Sequence, residues 1–342
     1  IFMTNLQGFY KNKKVLITGH TGFKGGWLTQ ILLNFGAKVS GIALKPNTKP
    51  NLFQILGLEK EIRNYFCDIR DFGKILEIIK KEKPEIVFHL AAQPLVRDSY
   101  DHPLYTFETN IMGTANVLQA IKEVGIVKSA VIITTDKVYE NKEKGSSFKE
   151  EDKLGGYDPY SASKAAAEIV INSYSRSLFN PSDYKKKHQT LIASARAGNV
   201  IGGGDWQKDR LMPDIIRAVF EKQEKVIIRN PQAIRPWQYV LEPLWGYLLL
   251  AEKLYDGKKD FSSAWNFGPN NKNYLTVEKL VKTTLELLGQ GIYKIQKDST
   301  KHEAQLLKIN SHKAQKFLNW RANLDIKTIL ELTCDWYQAF YN

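Results

Sequence analysis

Tyr160 and Lys164 stand four residues apart in Tyr160-Ser161-Ala162-Ser163-Lys164. On a helix, positions i and i+4 share a face, and an ammonium beside a phenol favours the tyrosinate and lowers its pKa. Such a phenol can take the proton of an alcohol while a hydride leaves the carbon that bears it. That is alcohol oxidation with a nicotinamide acceptor. Alone, the spacing reads as readily as an ordinary helix face. It gains weight from Ile132-Ile133-Thr134-Thr135-Asp136-Lys137, an apolar strand running into polar residues. Side chains at the carboxyl ends of strands in open α/β sheets face the ligand crevice, so Thr135, Asp136 and Lys137 become catalytic candidates beside Tyr160 and Lys164. The alternative for Asp136 and Lys137 is an ion pair at a loop mouth.

The acceptor needs a cradle. Val15-Leu16-Ile17-Thr18 is followed by Gly19-His20-Thr21-Gly22-Phe23-Lys24-Gly25 and a helical pattern. Glycines in this G-x-x-G-x-x-G setting turn the chain tightly and let backbone approach a pyrophosphate at a helix N-terminus. Gly19, Thr21, Gly22, Phe23 and Gly25 are therefore the expected dinucleotide contacts; the competing reading is a strand-to-helix turn with no ligand. About 20 residues further on, a carboxylate would hold the adenosine ribose of NAD. The chain has Ile42-Ala43-Leu44-Lys45 there, so NAD is expected but NADP stays open, and Lys45 suits a 2′-phosphate. Asp68 and Ile69 are placed near the adenine, with Asp68 equally suited to capping a helix.

These residues need elements to hold them. Apolar runs alternate with amphipathic stretches, which predicts strands at Lys14–Thr18, Lys38–Ala43, Asn64–Cys67, Ile86–Leu90, Ala130–Thr134 and Thr190–Ala195. Helices are predicted between them at Gly25–Phe35, Phe72–Lys81, Leu104–Val124 and Tyr160–Leu178. This is α/β, a Rossmann doubly wound parallel sheet. Beyond Arg196 the rhythm breaks into Gly202-Gly203-Gly204, a short helix from Pro213, a strand at Val226–Ile228 and helices at Leu241–Leu254, Val277–Leu288 and Ile326–Tyr341. Residues 10–197 are expected to form the dinucleotide-binding domain, with 235–255 packing back onto it. Residues 198–234 and 256–342 are expected to form a smaller, partly interleaved substrate domain.

Composition excludes several classes. The 342 residues are 43% hydrophobic and 25% charged, which fits a globular chain and neither disorder nor a disulfide scaffold. Cys67 and Cys334 lack neighbours at zinc-ligand spacing, so no metal is expected. No apolar run reaches the ~18–20 residues of a membrane span. With Ile1 and Phe2 set aside before Met3, the start lacks a signal peptide's small-residue cleavage site, and the expected location is the cytoplasm. The formal charge of +13 would suit a nucleic-acid binder. Its clusters, Lys13-Lys14, Lys80-Lys81 and Lys185-Lys186-Lys187, are scattered and read as solvated helix ends or loops, so no nucleic acid is expected. A phosphorylated substrate fits the same excess.

Together, the glycine motif, Thr135, Tyr160 and Lys164 resemble the extended short-chain dehydrogenase/reductase family over nearly the whole chain. Leu90-Ala91-Ala92-Gln93 and Asn110-Ile111-Met112-Gly113-Thr114 resemble its motifs beside the cofactor. Within the family, Thr135-Asp136-Lys137, Gly156-Tyr157-Asp158-Pro159-Tyr160, Ala195–Trp206 and Arg235-Pro236-Trp237-Gln238 are similar to the sugar-nucleotide 4,6-dehydratases. The resemblance implies oxidation at C4 of a hexose, loss of water across C5 and C6, and return of the hydride to C6, in deoxysugar biosynthesis leading to a lipopolysaccharide O-antigen. It implies Tyr160 as base for the C4 hydroxyl and Thr135 as hydrogen-bond donor to the C4 oxygen. Lys164 would lower the phenol's pKa and hold the nicotinamide ribose, and Asp136 would act as acid for the C6 hydroxyl. Lys137 stands where dTDP-glucose dehydratases carry a Glu base, so it is expected either as a C5 base with a depressed pKa or as a stabiliser of the enolate. Leu90, Ala91 and Ala92 join the cofactor contacts. Asn199 and Arg235 are expected on the substrate's diphosphate, as is Arg210 unless Asp209 or Asp214 claims it. Gln93 and Arg97 are expected in the sugar pocket, and His302-Glu303-Ala304 resembles a late motif near the nucleotide.

A homodimer through the helices Leu104–Val124 and Tyr160–Leu178 is also implied. Ile111, Ala115, Leu118 and Ile121 offer one stripe for it, which core packing would explain equally. The rivals are a dehydratase of a different sugar nucleotide, a C4 epimerase and a non-catalytic dinucleotide-binding module.

Overall fold

The structure is a computed structural model and describes residues 2–142, 145, 147–270, 273–296 and 306–342. His302, Glu303 and Ala304 lie outside the described residues. Seven parallel strands form the main sheet: β1 Lys14–Thr18, β2 Lys38–Ala43, β3 Arg63–Phe66, β4 Ile86–His89, β5 Ser129–Ile133, β6 Leu191–Ala197 and, much later in the chain, β10 Ala264–Phe267. Their order is β10-β6-β5-β4-β1-β2-β3, so the winding direction reverses between β1 and β4. Ligands of such sheets sit at that switch point.

Strand alternation builds two cores. Val15, Ile17, Phe88, Val131 and Ile133 face one side, with Leu28, Leu32, Leu244 and Leu248 packed against them. Leu16, Val87, Ala130 and Ile132 face the other, against Ile75, Ile79, Val117, Leu118 and Ile121. Each buried aliphatic side chain contributes roughly 1.5–3 kcal/mol.

The predicted strands of the first half all form, β1 and β2 to the residue and the other four with ends shifted by one or two residues. The expected helix Leu104–Val124 is broken differently: Pro103–Phe107 runs into a five-residue π segment, Glu108–Met112, before Gly113–Val124. Leu118 and Ile121 lie in the core, so half of the stripe read as a dimer face is spent on the sheet. Exposed instead on these two helices are Leu104, Met112 and Ile169.

A second lobe assembles from short pieces. β7 Asn199–Ile201, β9 Ile234–Tyr239 and β11 Tyr274–Thr276 form a three-stranded sheet, and β8 Val226–Ile228 pairs with β12 Tyr293–Ile295. Its core gathers Trp206, Ile215, Trp237, Leu280, Leu285, Ile329 and Tyr337. The chain returns to the main sheet twice. Helix Leu241–Tyr255 buries Leu244, Tyr247, Leu248 and Ala251 on it, and β10 pairs with β6. β10 lies inside the 256–342 stretch, which the sequence assigns to the smaller domain. Among the described residues no helix is long and apolar enough to cross a membrane, and no group of three or more His, Cys, Asp or Glu side chains could hold a metal ion.

Candidate active site

A cavity of about 850 Å³ opens at the carboxyl ends of the central strands, with the second lobe as its other wall. Its dinucleotide end is shaped by glycines. Gly19 has φ +79, and a Cβ there would lie 2.7 Å from the Ala91 nitrogen; a Cβ on Gly25 would meet the Gly19 oxygen at 2.1 Å. A Cβ on Gly22 would approach only the Gly19 oxygen, at 3.4 Å, so the space above it is open to the cavity. This cradle fits a pyrophosphate: two glycines permit the turn and the third leaves bare backbone facing outward. Thr21, Phe23, Leu90, Ala91 and Ala92 line the same end. Thr21 anchors the loop after β2 by donating to the Leu44 oxygen, 2.9 Å.

Asp68 and Ile69 also line this end. The helix cap is Asp71, which accepts from the Lys74 N–H. Asp68 is engaged by Arg70 through Nε and a terminal nitrogen at 3.1 and 2.8 Å. Burial raises the Asp68 pKa, but these bonds outweigh it and hold the group below the usual carboxylate range. His20, inside the glycine turn, bonds Asn64 Oδ1 at 2.7 Å, and burial takes it down to about 4, so it is neutral.

The cavity floor brings the candidate catalytic side chains together. Asp158 caps the helix Pro159–Ser177 by accepting from the Ser161 N–H, Pro159 starts it, and Ser99 Oγ accepts the Tyr160 N–H at 3.1 Å. Asn110, in the π segment, donates to Ser163 Oγ at 2.8 Å and bonds both backbone groups of Gln93. The π segment therefore locks the loop after β4 to the Tyr160 helix. Thr135 donates to Asp136 Oδ1 at 3.0 Å and lies within hydrogen-bonding reach of the Tyr160 phenol. Asp136 Oδ2 is buried with no partner among the described residues. Lys137, half-buried, lines the cavity beside it.

Burial raises the Tyr160 phenol to about 12, against the Thr135 hydrogen bond and Arg210. The expected depression by Lys164 is not among the causes. Lys164 donates to the Ile133 oxygen at 3.1 Å and is itself lowered to about 8 by burial, with Glu168 opposing. Lys24 is lowered to about 8 too, by burial and then by Arg210 and Lys164, with Asp136 opposing.

One layer deeper, Glu168 accepts from Thr134, from Ser194 at 2.7 Å and from Arg196 at 2.9 and 2.8 Å. Arg196 also donates to the Tyr139 hydroxyl, 2.8 Å. This buried network joins β5, β6 and the Tyr160 helix beneath the site.

Towards the second lobe, Gln93, Arg97, Asn199, Arg210 and Arg235 all line the cavity. Gln93 spends its amide on Leu95 and Thr106, so it holds its own loop rather than presenting a free amide. Asn199 Oδ1 is buried without a partner among the described residues. Arg210 pairs with Asp205 at 3.0 Å, not with Asp209 or Asp214; Asp214 belongs to Arg217.

Residues 16–333 match the model of the family described as GDP-mannose 4,6 dehydratase. The chain belongs to this family. It is 47% identical over 335 residues to a CDP-glucose 4,6-dehydratase of Salmonella typhimurium, covering 98% of this chain and 93% of that protein. Among solved structures, dTDP-glucose 4,6-dehydratase from Streptomyces venezuelae with NAD and TYD bound superposes with TM-score 0.81 at 22% identity, covering 95% and 97% of the two chains. UDP-glucose 4-epimerase from Thermotoga maritima with UDP-glucose gives TM-score 0.80 at 22% identity, covering 96% and 99%. At that identity these two structures share the fold.

Three site residues of this family member escape motif reading. Lys24 hides inside the glycine motif, where its charge at a position otherwise given over to backbone contact is the available signal. Asp209 and Arg229 sit in loops of the second lobe and have no local pattern to mark them; both line the cavity.

Proposed function

We propose that this chain is an NAD-dependent hydro-lyase that converts CDP-D-glucose to CDP-4-keto-6-deoxy-D-glucose. The observation that carries the reading is Asp136, a buried carboxyl with one bare oxygen beside Lys137, Thr135 and Tyr160. The 47% identity along nearly the whole chain supports the cytidine substrate, and the NAD bound in the Streptomyces dehydratase structure supports the cofactor. A nicotinamide dinucleotide held by the glycine turn of Gly19–Gly25 and by Lys164 would supply a reversible hydride acceptor and a ring cation that favours the tyrosinate.

The chain's residues do the proton chemistry. Tyr160 takes the C4 hydroxyl proton, Thr135 donates to the C4 oxygen and Lys164 holds the nicotinamide ribose. The C4 ketone acidifies the C5 proton, which passes to Lys137 or, where Lys137 only stabilises the enolate, to solvent water; C5 regains a proton by the same route when the hydride is returned to C6. Asp136 gives a proton through Oδ2 to the departing C6 hydroxyl, which leaves as water. Asn199, Arg210 and Arg235 grip the diphosphate; arginine does so bidentately. A C4 epimerase needs the Tyr160–Lys164 pair but has no work for the acid and base at Asp136 and Lys137.

The test is a panel of CDP-, dTDP-, UDP- and GDP-hexoses incubated with the protein and NAD in deuterated water and followed by NMR. A 4-keto-6-deoxy product from CDP-glucose, carrying deuterium at C5, is expected; a C4 epimer as the sole product contradicts the reading. If Lys137→Ala leaves C5 exchange unimpaired, Lys137 is not the base.

A homodimer is part of the proposal. Leu104, Met112 and Ile169 are 75%, 55% and 61% exposed on the two helices that would pair. Sedimentation should give a dimer that Ile169→Glu dissociates.

A further inference from the structure

Asp209 joins the two walls of the cavity. Its Oδ1 lies 2.8 Å from a terminal nitrogen of Arg229, at the end of β8, and 3.8 Å from Nε of Arg97, on the helix Val96–Asp101 of the dinucleotide-binding wall. All three residues line the cavity. Two arginines converging on one carboxylate oxygen form a site that suits phosphate oxygens as well as carboxylate, because the guanidinium fork matches both. The preceding residue bridges the same two walls with opposite polarity, Lys208 reaching Asp98 at 3.7 Å. The loop thus keeps a tie to the helix if Asp209 lets go.

We propose that Asp209 is a displaceable internal anion: the diphosphate of the nucleotide substrate takes Arg97 and Arg229 from it, and the Asp209 carboxylate swings outward while Lys208–Asp98 holds the loop. Arg97, here assigned to the diphosphate and not to the sugar pocket, and Arg229 join Asn199, Arg210 and Arg235 as its ligands, and Asp209 sets the threshold that an incoming anion must exceed. A monoanion competes poorly with a carboxylate already in place; a diphosphate brings more charge and more acceptor oxygens. The inference rests on the sugar-nucleotide reading above and names how that substrate is admitted.

The experiment is calorimetric titration of the full chain with CDP, and in parallel with UDP, dTDP and GDP. Asp209→Asn should bind CDP at least fivefold more tightly than the parent chain, and Arg229→Ala at least tenfold more weakly. Asp183→Asn removes the same charge beside Lys187, in the segment before β6 and so at the sheet end opposite the cavity, and should leave the Kd unchanged. Equal or weaker binding by Asp209→Asn overturns the proposal, as does full affinity in Arg229→Ala or an equal gain in Asp183→Asn. If the cytidine assignment is wrong, the rank of the four nucleotides changes in the parent chain. The ratio of parent to Asp209→Asn still reads the displacement for whichever diphosphate binds.

Discussion

The cavity floor and the layer directly beneath it each hold a buried acidic side chain, and the fold treats them in opposite ways. Glu168 receives four donors from Thr134, Ser194 and Arg196, and it is completely satisfied. Asp136 receives Thr135 on one oxygen, and its other oxygen has no partner among the described residues. An unsatisfied buried acceptor costs roughly 1–3 kcal/mol. In the proposed reaction the substrate's C6 hydroxyl supplies the missing partner. Glu168 is committed within the fold, and Asp136 is left open for the acid role proposed for it.

Substitutions should separate the two layers. The largest loss of activity belongs to the floor: Tyr160→Phe should lower kcat by about 10³ with an unchanged melting temperature, since acid–base groups contribute 10²–10⁴. Asp136→Asn should follow, with kcat down by about 10² at equal or higher stability. It should still transfer the C4 hydride in a single turnover, read as cofactor absorbance, because the acid acts afterwards.

Glu168→Gln should invert the pattern. It leaves Arg196 as an uncompensated buried cation, which costs about 3 kcal/mol. Thermal unfolding should show a melting temperature several degrees lower, with only a few-fold change in kcat. The sign of its pH dependence follows from its pKa. Burial raises Glu168, but Arg196, Thr134 and Ser194 together hold it below its ordinary value of 4.5. Its contribution is therefore present above that value and lost as the pH falls through the lowered one. Acid unfolding of the parent chain should carry this slope below pH 4.5, and Glu168→Gln should lack it.

The smallest effect concerns Lys164. Its ammonium, lowered to about 8, is lost as the pH rises, so kcat/KM should fall above about pH 8. Lys24 titrates at a similar value, and Lys24→Met distinguishes them: the basic limb should persist if Lys164 is the group.

How much of this the sequence discloses depends on whether the pattern is local. Val15, Leu16 and Ile17 alternate between two cores, so β1 and the glycine turn after it are legible. Tyr160 and Lys164 share a helix face, so their partnership is legible too. The two-layer arrangement is not. Glu168, Arg196 and Tyr139 come from three separate elements, and only the sheet order brings them together. β10 is four residues long and pairs with β6 across a wide sequence gap, and Pro236 inside β9 obscures a strand that lies in a small sheet. The Arg210–Asp205 pair depends on the C-terminal helix, where Tyr337 donates to the Asp205 oxygen at 2.6 Å. No spacing rule reaches that far.

In the proposed reaction one hydride leaves C4 and returns to C6 of the same sugar while Asp136 and Lys137 remove water between. CDP-glucose carrying deuterium at C4 and carbon-13 throughout the same hexose, mixed with unlabelled CDP-glucose and turned over with catalytic NAD, tests this directly by NMR and mass spectrometry. Deuterium is expected on C6 of the 4-keto-6-deoxy product, confined to molecules that also carry carbon-13. Deuterium remaining at C4 of an epimer, or scattered onto molecules that began unlabelled, would contradict it.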